Sequence, residues 1–263
     1  MRILFVGDVV GRPGRDAVEG LLPGLREQLG VDVCVVNGEN IANGIGITPR
    51  LADRLLASGA DAITLGNHTW RRDEIGPYLA TSEKVVRPAN LQAGAPGRGL
   101  AVVEARDGTP VGVINVLGSL FLEPAHSMWE LVDDLVEQAT AAAPVVVVDV
   151  HAEATSEKVA LSAWLDGRVT AVLGTHTHVQ TSDERILPGG TAALTDVGMT
   201  GPHDSVIGVV TELAVRRMRT GMPVRFETAS TGVRLEGAVV TCDPATGRAS
   251  AIEPVRAPWP PAT

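Results

Sequence analysis

Short apolar runs rich in valine and isoleucine recur along this chain, and five of them end on side chains that can bind a metal. Helix-like segments separate the runs, which is the pattern of βα units around a largely parallel sheet. In such a sheet, ligands collect in the crevice beyond the carboxyl ends of the strands. We therefore expect these side chains to converge there although they are far apart in the sequence. They are Asp8, Glu39 and Asn40, Asn67 and His68, His151, and His176 and His178.

The periodicity of apolar residues predicts seven strands and five helices, with further strands in the C-terminal third, within one α/β domain spanning 1–263. Residues 70–100 are rich in proline and glycine and are expected to border the site. Residues 243–247, DPATG, have the composition of a hairpin turn. The predicted strands are 2–7, 31–37, 61–66, 100–105, 111–116, 145–150 and 169–173. The predicted helices are 14–29, 48–58, 127–142, 156–165 and 205–216.

Charge and cysteine content narrow the functional classes. The formal net charge of -9 argues against long nucleic acid as a partner, because affinity for a polyphosphate comes from Lys and Arg. Two distant cysteines indicate neither a disulfide framework nor a zinc-cysteine site, and Cys34 is expected in the core. We find no signal peptide and no run long enough to span a bilayer, so we expect a cytoplasmic protein without a membrane partner. A homo-oligomer is expected only from the general finding that most soluble oligomers consist of identical chains.

Each polar residue also has an ordinary interpretation. Asp8 resembles a helix cap, His151 could be a satisfied core histidine, and the remaining residues could belong to turns. Together, these ordinary interpretations would require five coincidences at equivalent strand ends, so we favour metal binding. The glycines after the first strand lack the G-x-G-x-x-G spacing, so no dinucleotide cofactor is expected. Arg12 and Arg15 could contact a substrate phosphate or simply lie exposed at a helix start.

The order of these blocks resembles a known family. GD, an acidic residue after the second strand, GNH, a lone histidine and GTHTH follow the order of the calcineurin-like metallophosphoesterases. The longer blocks GDVVG, NGENIANG, GNHTW, RPAN, VDVHAEATSEK, GTHTHVQT and TDVGMTG are similar to the YmdB-type branch, which resembles bacterial 2',3'-cyclic-nucleotide 2'-phosphodiesterases. The resemblance runs from Asp8 to at least Gly208. It implies a layered α/β/β/α sandwich of the metallophosphoesterase type, with its metal site at the C-terminal ends of the strands.

The chain departs from the broad superfamily pattern at three positions. Asp8 is not followed by the usual Asp-x-His histidine, and the carbonyl oxygen of Asn40 can fill the gap. Glu39 stands where the bridging aspartate is common, and its carboxylate can span two cations. Thr69 replaces the acidic residue that usually follows GNH, so we expect no carboxylate there to orient His68.

The resemblance implies two metal ions that share Glu39 and leave His68 as the catalytic general acid. Mixed oxygen and nitrogen ligands without thiolate favour divalent or trivalent iron or manganese, with zinc left open. One ion would be held by Asp8, Glu39, Asn40 and His178. The other would be held by Glu39, Asn67, His151 and His176.

The expected function is hydrolysis of small cyclic nucleotides, in which a hydroxide held between the two metals attacks phosphorus. The substrates would be 2',3'-cyclic nucleotides, with 3',5'-cyclic AMP as a further candidate. Two alternatives remain open at this point. One is a phosphomonoesterase, for nucleotides or phosphoproteins, on the same site. The other is a regulatory interaction protein whose metal is structural or sensory, although an unligated His68 favours catalysis.

Overall fold

The computed structural model describes residues 1–260, which form fourteen strands, six α-helices and two short 3-10 turns. The strands are β1 Arg2–Val6, β2 Asp8–Val9, β3 Val33–Asn37, β4 Ala62–Thr64, β5 Val85–Val86, β6 Leu100–Glu104, β7 Pro110–Leu117, β8 Val145–His151, β9 Ala171–Thr175, β10 Arg185–Ile186, β11 Ala192–Leu194, β12 Met199–Pro202, β13 Val233–Cys242 and β14 Ala249–Pro258. The helices are α1 Gly11–Gln28, α2 Pro49–Ala57, α3 Ile75–Thr81, α4 Val132–Ala142, α5 Thr155–Trp164 and α6 Thr211–Thr220. The 3-10 turns are Thr69–Arg71 and Met128–Glu130.

The strands form two sheets. The first has the order β2-β12-β13-β1-β3-β4-β5, with β14 paired to β13. Within it, β1, β3, β4 and β5 are parallel, whereas β13 runs antiparallel to β1. The second sheet has the order β10-β11-β9-β8-β7-β6, and β7, β8, β9 and β11 are parallel. Each sheet therefore has a block of parallel strands whose carboxyl ends share one edge.

Alternate side chains of each strand point into different apolar layers. In β1, Ile3 and Phe5 belong to a core built from both sheets, while Leu4 and Val6 pack with residues of α1 and α2. The second sheet packs its other face against α4 and α5, as with Ile114 in β7. Because buried parallel strands are covered on both faces, the layers follow in the order helix, sheet, sheet, helix. The predicted α/β/β/α sandwich is confirmed, and Cys34 lies in the core as expected.

Several predicted boundaries were wrong, mostly outside the parallel strands. The helix predicted at 205–216 is α6, Thr211–Thr220, because 205–210 form a loop with a β-bridge between Val206 and Val209. Residues 70–100 contain α3 and β5, which the proline and glycine content concealed. The turn at 243–247 does join a hairpin, β13–β14. The prediction of a single domain over 1–263 stays a prediction, and 261–263 lie outside the described residues.

Among residues 1–260, no helix combines the length and the apolar character that crossing a bilayer requires.

Candidate metal centre

All seven predicted ligands meet beyond the carboxyl ends of the parallel strands. The first sheet contributes residues just past β1, β3 and β4, and the second contributes the end of β8 and the turn after β9. Gly66, between β4 and its polar residues, allows the close approach, because a Cβ there would overlap the side chains of Glu39 and His151. The converging residues are Asp8, Glu39, Asn40, Asn67, His151, His176 and His178.

One half of the cluster surrounds the ring of His151. Its Nε2 atom lies 3.1 Å from Glu39 Oε1, 3.1 Å from Asn67 Oδ1 and 3.1 Å from His176 Nδ1. Glu39, His151 and His176 thus form a candidate metal-binding group within the described chain. This is the grouping that the sequence predicted for one of the two ions.

A hydrogen-bond chain fixes the tautomer of neutral His151. The hydroxyl of Thr175 donates to Asp149 Oδ1 at 2.7 Å, so its oxygen accepts the proton of His151 Nδ1 at 2.8 Å. In this tautomer His151 Nε2 carries a lone pair, which faces acceptor atoms of Glu39 and Asn67. Lone pairs that converge without a proton between them repel, whereas a cation satisfies them all. The donor set therefore fits a metal.

The other half of the cluster lies around Asp8. Asp8 Oδ1 is buried without a hydrogen-bond partner among the described residues, and it lies 3.7 Å from His178 Nε2. His178 Nδ1 lies 3.0 Å from the carbonyl oxygen of Ile207, which can accept its proton and leave the Nε2 lone pair facing Asp8. An orphaned buried carboxylate oxygen opposite an imidazole lone pair also suits a cation.

Asn40 joins the two halves, although its amide is turned away from a ligating orientation. Its Nδ2 atom lies 3.2 Å from both Glu39 Oε1 and His178 Nε2, while its Oδ1 atom lies 2.9 Å from His68 Nδ1. Metal binding through the Asn40 carbonyl oxygen would require the opposite amide orientation.

The buried carboxylates of the cluster favour a positive charge beside them. Burial opposes protonation of His151, yet the carboxylates of Glu39 and Asp8 raise its pKa to about 9. Burial and the neighbouring His151 lower the pKa of His176 to about 3, so His176 stays neutral with a lone pair to offer. Burial alone would raise the pKa of Glu39, but His151 and His68 hold it well below its usual range. A metal can replace the proton that His151 otherwise retains.

His68 lies beside the cluster, with its side chain 24% exposed. Its ring Nδ1 is 3.3 Å from Glu39 Oε1, and its backbone N–H donates to Glu39 Oε2 at 3.0 Å. Position 69 supplies no carboxylate, as expected from Thr69, but Glu39 from another strand end places one next to His68. The ring lines the adjacent cavity, which leaves Nε2 as the nitrogen available to a substrate.

The turn that carries His176 and His178 is not extended. Both residues have left-handed backbone conformations, with φ of 95° and 63°. Thr177 between them donates its N–H and its hydroxyl to Asp196 Oδ2, at 3.1 Å and 2.5 Å. Asp196 in turn pairs with Lys158. The two rings therefore diverge towards different halves of the cluster.

Several supporting residues were missed or left undecided by sequence reasoning. Asp149 supports His151 through Thr175, and Glu153 Oε2 lies 3.0 Å from His176 Nε2. Asp149 lies in a run of valines, two residues before His151, and a buried carboxylate in such a run is a signal that could have identified it. Burial raises its pKa to about 6.

A cavity of about 460 Å³ opens onto the cluster. Glu39, Asn40, His68, His176 and His178 line one side. Its apolar lining is formed by Val10, Ile207, Val209 and Phe226.

Comparison with known proteins places the chain among similar sequences and structures. A family model described as YmdB-like protein matches residues 4–255. A Bacillus subtilis (strain 168) protein named 2',3'-cyclic-nucleotide 2'-phosphodiesterase is 48% identical over 253 residues, which cover 96% of each chain. A crystal structure of a hypothetical protein from Thermus thermophilus has 42% identity and a TM-score of 0.92, covering 99% of this chain and 100% of that one. A phosphatase from Mycoplasma pneumoniae has 33% identity and a TM-score of 0.90, covering 98% and 93%.

Proposed function

This chain belongs to the YmdB-like protein family, and from that premise we propose that it is a metal-dependent phosphodiesterase acting on 2',3'-cyclic nucleotides. One observation carries the proposal. Ligand atoms of Glu39, Asn67 and His176 each lie 3.1 Å from His151 Nε2, while His68 lines the cavity beside them. The name of the Bacillus relative supports the substrate class. Activity on 3',5'-cyclic AMP is proposed only as a second reaction of the same site.

Two ions, iron or manganese, would occupy the centre. Oxygen and imidazole ligands without thiolate favour these metals. When bound, the ions supply the positive charge that neutralises the phosphoryl oxygens. Asp8, Asn40 and His178 would hold one ion, Asn67, His151 and His176 the other, and Glu39 both.

His68 is the group that would hold and move a proton. Glu39 Oε1 lies 3.3 Å from its Nδ1 atom, so Nε2 is the nitrogen left to face the substrate in the cavity. An alkoxide leaves poorly, and proton donation from a positioned imidazolium lowers that barrier. In a 2',3'-cyclic nucleotide, water adds its hydroxyl to phosphorus and releases a proton, the bond from phosphorus to the 2'-oxygen breaks, and His68 gives its proton to that oxygen. The proton released by water then restores the protonated form of His68. The product is the 3'-phosphate.

The cavity suits a nucleotide in size and lining. Ligand cavities of this kind combine apolar walls with a few polar groups that orient the ligand. Phe226 and Ile207 offer an apolar surface for a base within the same cavity as the polar cluster. The expected cytoplasmic location and homo-oligomer stay predictions.

The test compares two diesters that differ in their need for a proton. Protein reconstituted with manganese or iron is assayed on 2',3'-cyclic AMP and on bis-p-nitrophenyl phosphate, whose nitrophenolate leaves without protonation. His68→Ala is expected to retain metal and to lose roughly 100-fold or more on the cyclic nucleotide, but much less on the nitrophenyl ester. His126→Ala, an exposed histidine near Glu130, is the control.

The position of the product phosphate separates the alternatives. A 3'-phosphate formed by the wild type supports the proposal, and Glu39→Gln is expected to lose both metal and turnover. Failure of the metal-loaded wild type to hydrolyse any phosphodiester, with monoesters cleaved instead, would replace it with a phosphomonoesterase. Bound metal without turnover of either ester class would favour the regulatory alternative.

A further inference from the structure

We propose that an arginine-lined cavity beside the active-site cavity is a second phosphate-binding subsite, which receives a phosphate group at the 5' end of the substrate. The inference rests on the proposed function. The second cavity measures about 410 Å³, and Asn43 lines both cavities. Four arginines from three separate segments of the chain border it: Arg15 in α1, Arg50 and Arg54 in α2, and Arg72 after the Thr69–Arg71 turn.

The four arginines outnumber the carboxylates recorded beside them, which are Glu19, Glu74 and Asp16. Arg54 donates to Glu19 Oε2 at 2.6 Å and is offset by it. Arg72 donates to the carbonyl oxygens of Ala42 and Ile45, at 2.8 Å and 3.3 Å, so its side chain is fixed in place without a carboxylate. Glu74 is the acidic residue in the lining. In a chain of net charge -9, such a basic cavity is a local exception that favours an anion.

The side chains of Arg15 and Arg50 form no hydrogen bond within residues 1–260. The Arg15 side chain is only 16% exposed, and its Nε atom is buried without a hydrogen-bond acceptor in the part of the chain described here. The nearby Asp16 Oδ1 lies 3.7 Å away, beyond hydrogen-bond distance. Within residues 1–260, Arg50 has no ion-pair partner. A phosphate satisfies such guanidinium groups with two parallel hydrogen bonds, which a buried unpaired donor would otherwise lack.

The loop 40–47 borders both the arginine-lined cavity and the active-site cavity. Arg72 binds the loop at Ala42 and Ile45, and it follows the turn that begins after His68. The same loop begins with Asn40, which contacts His68. A substrate that places one phosphate at the metal centre and another among the arginines would span this loop.

The proposal is tested by comparing 2',3'-cyclic AMP with its 5'-phosphorylated form. Because a hydrogen bond to a charged group contributes about 1.5 kcal/mol or more, the wild type is expected to show roughly tenfold higher kcat/KM for the 5'-phosphorylated substrate. The ratio between the two substrates is expected to fall to about one in Arg15→Gln and Arg50→Ala. Arg50 lies exposed in the first turn of α2, so Arg50→Ala keeps the test valid even where Arg15→Gln lowers stability.

Arg106→Gln is the matched control, because Arg106 is exposed, pairs with Glu27, and its backbone N–H donates to the carbonyl oxygen of Asp32 near the opposite end of the strands. A second arm measures binding of inorganic phosphate to the metal-free protein by calorimetry, so that the metal centre contributes nothing. Arginine-dependent phosphate binding without a substrate preference would support the subsite and assign it to free phosphate.

One result would contradict the second phosphate-binding subsite, and a different result would contradict the proposed function. Turnover of 2',3'-cyclic AMP with neither a 5'-phosphate preference nor phosphate binding would overturn the subsite and leave the proposed function standing. Absence of turnover on both nucleotides would instead contradict the proposed function, and the calorimetric arm would still decide the subsite.

Discussion

Lys158 and Asp196 form a buried ion pair behind the metal centre, with Nζ 3.0 Å from Oδ2. The lysine side chain is 2% exposed. Asp196 also accepts hydrogen bonds from Thr177 and from the N–H of Gly198. The pair therefore holds the turn in which His176 and His178 adopt left-handed conformations. The sequence alone leaves Lys158 open as either a supporting residue or part of a solvated helix start.

Removal of one partner of this pair should weaken both the fold and the metal site. We expect Lys158→Met to lower the free energy of unfolding by about 3 kcal/mol, because Asp196 keeps a buried uncompensated charge. Metal affinity should also fall, since the turn is no longer held. Urea unfolding of the metal-free protein and calorimetric metal titration measure the two effects. Lys158→Arg is the control, and wild-type metal affinity in Lys158→Met would refute the link.

Asp149→Asn tests the hydrogen-bond chain that orients His151. The chain runs from Asp149 through the Thr175 hydroxyl to His151 Nδ1. Loss of such outer partners typically lowers metal affinity by about 10- to 100-fold. Metal content after dialysis against a weak chelator gives the measurement. Asp183→Asn, at an aspartate that bonds Thr195 outside the cluster, serves for comparison and should retain its metal.

Phe226→Ala tests the apolar wall of the cavity. The ring is 45% exposed, and the Arg217 guanidinium lies 5.3 Å from its centroid. Because an aromatic contact with a base contributes about 1–3 kcal/mol, we expect KM for 2',3'-cyclic AMP to rise roughly tenfold with little change in kcat. Met222→Ala, in the same segment but outside the cavity lining, should behave like the wild type. An unchanged KM in Phe226→Ala would remove the ring from substrate binding.

Tyr78 provides a pH test that is independent of the metal centre. It is the single tyrosine, and partial burial together with its 2.7 Å hydrogen bond to Asp53 raises its pKa to about 12. The pKa of Tyr78 is higher in the folded protein than the value of about 10 in the unfolded chain. The hydrogen bond therefore stabilises the native state fully below about pH 10, and this stabilisation is lost as the pH rises through about 12. Ultraviolet titration at the tyrosinate band measures the midpoint. Asp53→Asn should lower it, and an ordinary midpoint in the wild type would be inconsistent with this contact.

The positions of the seven predicted ligands could be predicted because each residue lies at or just beyond the end of an apolar strand. An apolar strand that ends in a polar residue, such as β8 at His151, places that residue at the edge of the sheet whatever the rest of the chain does. The α/β/β/α layering was implied by the resemblance and is confirmed. The roles of the seven ligands and of His68 stay predictions.

Other features depend on contacts between distant segments, which local patterns do not contain. Asp196 meets Thr177 across a turn whose left-handed conformation the spacing of the two histidines did not reveal. Glu39 lies beside His68 although the two belong to different strand ends. The start of α6 was misplaced because the apolar residues at 206–210 belong to a bridged loop, as with Val206 and Val209.

Phosphodiester hydrolysis is expected to depend on the metal ions held by the seven predicted ligands, from Asp8 to His178. The most direct measurement returns manganese or iron stepwise to metal-free protein and follows bound metal, by mass spectrometry, together with turnover of 2',3'-cyclic AMP in each sample. Turnover is expected to rise with occupancy and to level off at two ions per chain, and Glu39→Gln should show neither binding nor activity. Full turnover by the metal-free protein, or two bound ions with no turnover, would contradict the account.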